Sequence, residues 1–287
     1  MPALELNGSR LAAERAEAMS VRVSQLLRSG AQAPVLATIL VGEDPASATY
    51  VRMKQNACRK IGIDSRAIVL GQDTTTEALL EQIEQLNQDP SVSGILLQHP
   101  VPGQIDERAC FDAIRAEKDT DGVTCTGFGR LSMGLDAYGS ATPTGIMRML
   151  AHYGIELSGR HAVVVGRSPI LGKPMAAMLL NANCTVSICH SRTRDLADVV
   201  RSADLVVAAL GRPRFIPGEW IADDAVAIDA GYHPADRCGD IDLNAALIER
   251  VSAYTPVPGG VGPMTISALI ENTLQAAERT AGIHPGS

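Results

Sequence analysis

The chain has 287 residues, of which 46% are hydrophobic and 20% are charged, and its formal net charge is −7. This length suits two modest domains of roughly 100–200 residues each, and the hydrophobic fraction argues against disorder. The acidic balance argues against nucleic-acid binding, which favours a basic face. The six cysteines form no Cys-x-x-Cys pair, so neither a zinc knuckle nor a redox motif is spelled.

The first residues lack a basic start followed by an apolar run, so no secretion signal is predicted. No stretch approaches ~20 uninterrupted apolar residues, so no membrane span is predicted either. We therefore expect a soluble, cytoplasmic protein without a membrane partner.

The first half of the chain alternates between helix and strand patterns. A helical stripe follows Asn7 and Ser9. The pattern then predicts, in chain order, a strand over 35–41, a helix over 45–60, a strand over 67–70, a helix over 76–87, a strand over 94–97 and a helix over 106–116. Such alternation indicates parallel strands joined by right-handed crossovers.

The glycine-rich stretch 119–143 breaks this rhythm and is predicted to be an irregular connection. A second series follows, with a helix over 144–153, a strand over 162–165, a helix over 171–181, a strand over 185–189, a helix over 195–202 and strands over 205–209 and 225–229. The predicted fold class is therefore α/β, with two α/β domains. A cleft between the domains, at the carboxyl ends of the strands, is the expected ligand site.

Residues 255–263 hold three prolines and three glycines, just before a last predicted helix over 264–280. Prolines stiffen such a loop, and glycines let the backbone approach a ligand closely. The loop is predicted to be a ligand wall, with a plain connector as the alternative.

Gly166, Arg167 and Ser168 lie between the predicted strand 162–165 and a predicted helix. A strand, a glycine-containing turn and a helix start together suit a pyrophosphate, because the unpaired N–H groups and the helix dipole favour an anion. The spelling is not Gly-x-Gly-x-x-Gly, since Ser168 stands where the second glycine would be. A tight turn without a ligand is the alternative.

The residues after the predicted strand 185–189 indicate whether NAD or NADP binds. After residue 189 come hydroxyl and guanidinium groups, including Ser191 and Arg192, and no carboxylate occurs before Asp195. NAD-binding folds of this kind usually place a carboxylate there for the ribose hydroxyls, whereas arginine suits a 2′-phosphate. The pattern favours NADP as the cofactor, although the arginines of this stretch could also simply solvate a loop.

Tyr50 and Lys54 stand four residues apart on the predicted helix 45–60, so they share one face. A lysine beside an aromatic ring in a cleft can be desolvated, which lowers its pKa toward the range useful for proton transfer. A surface pair is the common alternative for this spacing.

Gln98 ends the predicted strand 94–97, where a side-chain amide can bind a ligand or orient a water. His99 is a possible acid–base group or a structural histidine before proline. Asp119 and Asp121 open the irregular connection and are either turn formers or, for one of them, a partner for the amino-pyrimidine edge of a pterin.

These residues together resemble the bifunctional methylenetetrahydrofolate dehydrogenase/cyclohydrolase family over nearly the whole chain. The similar motifs are Val41-Gly42…Ser47…Tyr50-Val51…Lys54, Gly94-Ile95-Leu96-Leu97-Gln98, Lys118-Asp119-Thr120-Asp121-Gly122, Val165-Gly166-Arg167-Ser168 with Gly172 and Pro174, Cys189-His190-Ser191-Arg192-Thr193, and 255–265. The last of these, Thr-Pro-Val-Pro-Gly-Gly-Val-Gly-Pro-Met-Thr, is the most specific.

The resemblance implies roles for residues and domains. Lys54 would be the catalytic lysine, Tyr50 the ring beside the pterin and nicotinamide, Gln98 the hydrogen-bonded partner, and Asp121 the pterin anchor. Substrate contacts would include Gly262 and Pro263, and NADP contacts would be Gly166, Arg167, Ser168, Ser191, Arg192 and Tyr232. A folate domain over 1–139, completed by 264–287, would accompany a Rossmann-like NADP domain over 140–263. No metal is implied, and a homodimer built through the cofactor domains is expected.

The implied function is NADP-dependent oxidation of 5,10-methylenetetrahydrofolate, followed by hydrolysis to 10-formyltetrahydrofolate. The sequence departs from the family pattern in three places. His99 stands where leucine is usual, and Ser140-Ala141-Thr142-Pro143 lacks the usual cysteine. Tyr232 stands where an aliphatic residue is usual, and His233 replaces the usual asparagine. The alternatives are a dehydrogenase that has lost cyclohydrolase activity, against which Lys54 and Gln98 argue, and a catalytically silent NADP-binding regulator.

Overall fold

The computed structural model describes residues 2–283, apart from the side chains of residues 45, 46 and 48. The chain forms two compact units. The six-stranded unit comprises the described residues up to Ala12, then Leu131–Leu135 and Thr142–Thr265; the three-stranded unit comprises Ala13–Arg130, Asp136–Ala141 and the described residues from Ile266 onward. Across residues 2–283, no helix combines the length and the apolar character needed to cross a membrane.

The nine strands of the described chain form two sheets, and all their pairings are parallel, as the alternating pattern predicts. In chain order the strands are β1 (Leu4–Glu5), β2 (Val35–Val41), β3 (Asp64–Leu70), β4 (Gly94–Leu97), β5 (His161–Val165), β6 (Thr185–Cys189), β7 (Leu205–Ala208), β8 (Val226–Asp229) and β9 (Ala253–Tyr254).

Ten α-helices connect or flank these strands within residues 2–283. They are α1 (Gly8–Arg28), α2 (Pro45–Ile61), α3 (Thr76–Gln88), α4 (Glu107–Asp112), α5 (Cys125–Ser132), α6 (Ala141–His152), α7 (Gly172–Asn181), α8 (Leu196–Arg201), α9 (Ala245–Ile248) and α10 (Val261–Thr280).

The three-stranded unit has the sheet order β3-β2-β4. The central strand β2 is buried on both faces, as its continuous apolar run requires. Helix α2 follows it and begins where the Asp44 side chain accepts a hydrogen bond from the Ser47 N–H at 2.7 Å. The same helix ends at Gly62, whose φ of 84° is left-handed. The sheet and these caps fix the direction in which α2 presents its side chains.

The six-stranded unit has the sheet order β1-β9-β8-β7-β5-β6. The chain passes from β5 to β6 on one side and then crosses to β7 on the other side of β5. The strand order therefore reverses between β5 and β7, and open α/β sheets bind ligands at the carboxyl ends of strands flanking such a point. Strands β5, β7 and β8 are almost fully buried in an aliphatic core.

The prediction that 119–143 is irregular was wrong in part. Helix α5 lies within it, and α6 begins at Ala141 rather than at residue 144. Glycines at 127 and 129 obscure α5, since glycine is a poor helix former and Gly127 is buried by close packing. The predicted loop 255–263 also ends early, because α10 begins at Val261. Strands β1 and β9, two residues each, are too short for any periodic pattern.

Candidate active site

A lysine and a glutamine meet within the three-stranded unit. The Lys54 Nζ on α2 donates to Oε1 of Gln98, which directly follows β4, at 3.0 Å. The Gln98 Nε2 donates to the carbonyl of His99 at 2.8 Å, and its backbone N–H donates to Ile39 O at 2.8 Å. With its Nε2 engaged in this way, the amide must turn its oxygen toward the lysine. Gln98 is buried, which makes this orientation costly to change.

The surroundings of Lys54 disfavour its charged form. Burial lowers the pKa of Lys54, while the nearby Asp121 carboxylate opposes that effect. Burial also raises the pKa of Asp121, against the opposing influence of Lys54 and His99. Burial raises the pKa of the Cys58 thiol to about 12, so this cysteine is neutral. The site therefore holds a lysine and a carboxyl group that are both driven toward their neutral forms and stabilise each other only when both are charged.

The two aspartates of the irregular connection have different surroundings. Asp119 is buried and accepts hydrogen bonds from the Val123 and Thr124 N–H groups at 2.9 and 3.0 Å, which is the turn-forming role. Asp121 interacts electrostatically with Lys54. Its backbone carbonyl accepts from the Ala141 N–H at 3.1 Å.

The remaining predicted residues of the folate site are less tightly enclosed. Tyr50 lies one turn before Lys54 on α2 and is 40% exposed, so its side chain is partly accessible to a ligand. Gly262 and Pro263 lie in the first turn of α10, in the six-stranded unit, rather than in a loop. Proline suits that position because the first helical N–H groups have no partner within the helix.

The turn after β5 is shaped by two glycines. Gly166 has a φ of +140°, and a Cβ there would lie 2.1 Å from the Ala209 carbonyl oxygen after β7. A Cβ on Gly172 would lie 2.3 Å from the Gly166 oxygen. Side chains at either position would therefore break the close approach of turn and helix. The turn lies at the reversal of strand order, where a dinucleotide pyrophosphate binds in folds of this class.

Ser168 has a local role as well. Its Oγ accepts from the N–H groups of Leu171 and Gly172, at 3.1 and 3.4 Å, at the start of α7. A hydroxyl that accepts these bonds still has its own hydrogen to donate. Ser168 can therefore order the helix start and still bind an anion.

The predicted ribose-phosphate residues are accessible. Ser191 and Arg192 are exposed after β6, in a turn where the Arg192 N–H donates to His190 Nδ1 at 3.1 Å. Tyr232 is 44% exposed after β8. Because parallel strands end at the same edge of a sheet, all three residues share the edge on which Gly166 lies. This arrangement of cations, hydroxyls and backbone N–H groups fits a phosphorylated dinucleotide.

A pair of buried carboxylates behind this edge was not predicted. Asp240 accepts from the N–H groups of Leu210 and Gly211 with one oxygen, at 2.6 and 2.9 Å, and from Arg212 N–H with the other, at 2.8 Å. His233 Nε2 lies 2.9 Å from the same Asp240 oxygen. Asp240 therefore holds the loop after β7. The only hint in the sequence is the Cys238–Asp242 stretch, whose aspartates resemble an ordinary turn.

The second carboxylate, Asp229, ends β8 and accepts from the N–H groups of Gly231, Asp240 and Ile241 at 2.8–2.9 Å. Burial raises the pKa of Asp229 to about 6. Within residues 2–283, no cluster of three or more His, Cys, Asp and Glu side chains is arranged to hold a metal ion.

Comparison with known families assigns both halves of the chain. Residues 6–121 match the catalytic domain of tetrahydrofolate dehydrogenase/cyclohydrolase, and residues 140–281 match the NAD(P)-binding domain of the same enzymes. The chain is 62% identical over 279 residues to the bifunctional protein FolD of Cellvibrio japonicus, covering 97% of this chain and 99% of that protein.

Solved structures agree with this match. The bifunctional methylenetetrahydrofolate dehydrogenase/cyclohydrolase FolD of Campylobacter jejuni superposes with a TM-score of 0.94 at 39% identity, covering 97% of this chain and 99% of that one. The corresponding enzyme of Trypanosoma brucei, solved with NADP cofactor and inhibitor, gives a TM-score of 0.92 at 34% identity, covering 98% and 99%.

Proposed function

This chain belongs to the tetrahydrofolate dehydrogenase/cyclohydrolase family, and we propose that Lys54, Gln98, Asp121 and Tyr50 form the centre at which both family reactions occur. It is a bifunctional enzyme that oxidises 5,10-methylenetetrahydrofolate to 5,10-methenyltetrahydrofolate with NADP and hydrolyses the product to 10-formyltetrahydrofolate. The observation that carries the proposal is the 3.0 Å hydrogen bond between the buried amide of Gln98 and Lys54 Nζ.

Both reactions place demands on this centre. NADP, when bound, supplies the nicotinamide that accepts a hydride from the bridging methylene carbon. The folate product of that step is a cation, stabilised by the adjacent nitrogen lone pair. A charged lysine nearby would repel this cation, so the burial that lowers the pKa of Lys54 favours the reaction. The residues of the centre therefore orient the folate and the cofactor and set the electrostatic environment of the reacting carbon.

The hydrolytic step needs a proton acceptor. Neutral Lys54 takes a proton from the water whose oxygen attacks the methenyl carbon. The bond between this carbon and one of its two nitrogens then breaks, which opens the ring. That nitrogen receives the remaining hydroxyl proton, and one proton is released overall. Gln98 holds the amine in place through its oxygen, and Asp121 accepts hydrogen bonds from the pterin ring nitrogens and amine. Tyr50 supplies an exposed ring face for the pterin.

Outside this centre, we assign NADP contacts to Gly166, Arg167, Ser168, Ser191, Arg192 and Tyr232, and further folate contacts to Gly262 and Pro263. The turn after β5 and the exposed groups after β6 and β8 support this assignment. The proposed domains are a folate domain over 1–139, completed by 264–287, and an NADP domain over 140–263. The two sheets support this division except for β1, which pairs with β9 in the larger sheet.

We also propose an oligomeric state and a cellular location for the protein. Strand β6 is an edge strand of the larger sheet, and Ile188 on it and Leu180 on α7 are 43% and 60% exposed. An uncovered edge with apolar side chains suits pairing with a second copy. We expect a cytoplasmic homodimer that supplies one-carbon units to purine, histidine and methionine biosynthesis.

A spectrophotometric assay tests the proposed centre. Purified protein with NADP and methylenetetrahydrofolate should reduce NADP and then lose the methenyl absorbance by hydrolysis. Substitution of Gln98 by leucine should slow the second phase while leaving NADP affinity unchanged. Undiminished hydrolysis in that folded variant would remove Gln98 from the centre. NADP reduction without any enzymatic hydrolysis in the unaltered protein would instead favour a dehydrogenase that lacks cyclohydrolase activity.

A further inference from the structure

We propose that Asn272, on the C-terminal helix α10, is a positioning residue that holds Asp121 in its folate-binding orientation. The inference rests on the proposed role of Asp121 as pterin anchor. It concerns a residue 151 positions later in the chain, whose side-chain amide donates to a backbone carbonyl of the Asp121 segment.

The side-chain amide of Asn272 bridges the two segments that flank Asp121. Its Nδ2 donates to the Thr120 carbonyl at 2.9 Å and to the Gly139 carbonyl at 3.3 Å. Asn272 is 3% exposed, so water is a poor substitute for these donors. One buried amide thus ties the residue before Asp121 to the segment packed against it.

The two bridged segments are in close contact. Gly122 has a φ of +68°, and a Cβ there would lie 2.4 Å from the Ser140 nitrogen and 2.5 Å from the Gly139 carbonyl carbon. The Ser140 Oγ donates to the Gly122 carbonyl at 2.6 Å, and the Ala141 N–H donates to the Asp121 carbonyl at 3.1 Å. The backbone on both sides of Asp121 is therefore pinned to residues 139–141, and Asn272 closes the arrangement.

The same segment is joined to the strand that leads to Gln98. The Ile95 N–H in β4 donates to the Lys118 carbonyl at 2.8 Å, and Thr120 packs so closely on Gly94 that a Cβ there would lie 2.4 Å from its Oγ1. Thr273, the neighbour of Asn272, hydrogen-bonds to the Thr120 hydroxyl at 3.3 Å. The position of Asp121 relative to the strand preceding Gln98 is therefore fixed by these contacts. Helix α10 adds the hydrogen bonds of Asn272 and Thr273 to Thr120.

The rest of α10 is attached by different groups. Glu278 accepts both a 3.0 and a 2.6 Å hydrogen bond from the Arg22 guanidinium on α1 and is also buried. Its contacts are distinct from the Asp121 segment, so Glu278 offers a matched control on the same helix. Removing its charge should loosen α10 against α1 and leave the amide bridge of Asn272 intact.

The experiment compares Asn272→Leu, Glu278→Gln and Asp121→Asn in the full-length protein. Folate affinity, NADP affinity and melting temperature are measured for each. Asn272→Leu should weaken folate binding at least ~10-fold, since a displaced Asp121 loses hydrogen bonds to a charged acceptor that are worth roughly 10-fold or more in affinity, and should leave NADP affinity within ~2-fold. Glu278→Gln should lower the melting temperature but change folate affinity by less than ~2-fold. In the Asp121→Asn background, Asn272→Leu should add little, because the group that it positions is already lost.

Four results would overturn the inference. Equal losses of folate affinity in Asn272→Leu and Glu278→Gln at equal melting temperature would make Asn272 a stability residue only. Full additivity with Asp121→Asn would deny that it acts through Asp121. A loss in Asp121→Asn without one in Asn272→Leu would refute the inference alone, whereas no loss in Asp121→Asn would remove the proposed anchor as well. If Asn272→Leu does not fold, the nearly isosteric Asn272→Asp tests the same point. Its folate affinity relative to the unaltered protein should improve as the pH falls, because a protonated carboxyl regains one donor.

Discussion

Lys54 Nζ donates to Gln98 Oε1 at 3.0 Å, and the opposite end of the same amide is tied to the His99 carbonyl at 2.8 Å. The amide therefore presents an oxygen to the lysine without adding a negative charge. A neutral acceptor orients the amine but does little to keep it protonated, which suits a lysine whose burial already lowers its pKa.

Replacing Gln98 by glutamate should test that feature. A carboxylate at this position would favour the charged lysine and raise the pKa of Lys54. The hydrolytic activity, which needs the neutral amine, should fall near neutral pH, and the rising limb of its pH profile should move to higher pH. The profile is measured by decay of the methenyl absorbance. An unshifted limb would mean that its midpoint belongs to another group.

Asp121→Asn keeps the size of the side chain but replaces one acceptor oxygen by a donor. Leaving buried pterin donors unpaired should cost about 1–3 kcal/mol. Both activities should fall together, because both depend on the folate pose, while NADP affinity survives. If Asp121 is only a turn former, the variant should instead lose thermal stability and bind both ligands less well. Unchanged folate affinity would end the anchor interpretation.

Arg192→Ala should weaken NADP binding and barely change NAD binding. A hydrogen bond to a charged group is worth about 1.5–3 kcal/mol, or roughly 10- to 150-fold in affinity. Arg201→Ala is a control, since Arg201 is an exposed arginine of the same unit that pairs with Asp198. Both cofactors are titrated with each variant. Equal weakening of NADP and NAD by Arg192→Ala would contradict a specific 2′-phosphate contact.

The pH dependence of stability should carry a contribution from Asp229. Because its folded pKa is raised from the ordinary 3.8 to about 6, the folded state binds more protons than the unfolded state between those values. Stability contributed by this group is therefore lost as the pH rises from about 4 to about 6, by up to about 3 kcal/mol. Asp229→Asn should remove this part of the slope, as measured by urea unfolding across that range. Parallel curves for the two proteins would contradict the raised pKa.

The sequence predicts most of the fold because long apolar runs alternate with amphipathic helices. Strands β2 and β4 have their predicted bounds, and α2, predicted over 45–60, ends at Ile61. Short elements such as β1 have too few residues for a periodic signal, and the glycines of α5 resemble a loop. Their structure depends on pairing and packing with distant residues rather than on local propensity.

The candidate site likewise contains residues that the sequence predicts and residues that it does not. The family resemblance pairs Lys54 with Gln98, and the structure places their side chains 3.0 Å apart, while their catalytic roles stay a prediction. Asp240 and Asn272 were missed, because each acts through hydrogen bonds to backbone groups far away in sequence. A buried polar residue of this kind leaves no local pattern. In Asn272 the only hint is a run of three polar residues, Glu271–Thr273, on a largely buried helix.

Lys54 is proposed to take the proton from water in hydrolysis, and Lys54→Met removes the group that would do so. Methionine keeps an unbranched apolar stem of similar length and removes the amine. Methenyltetrahydrofolate hydrolysis, followed by loss of the methenyl absorbance in protein with an unchanged melting profile, should fall by at least ~100-fold. Hydrolysis at a near-normal rate in that folded variant would mean that Lys54 does not take the proton.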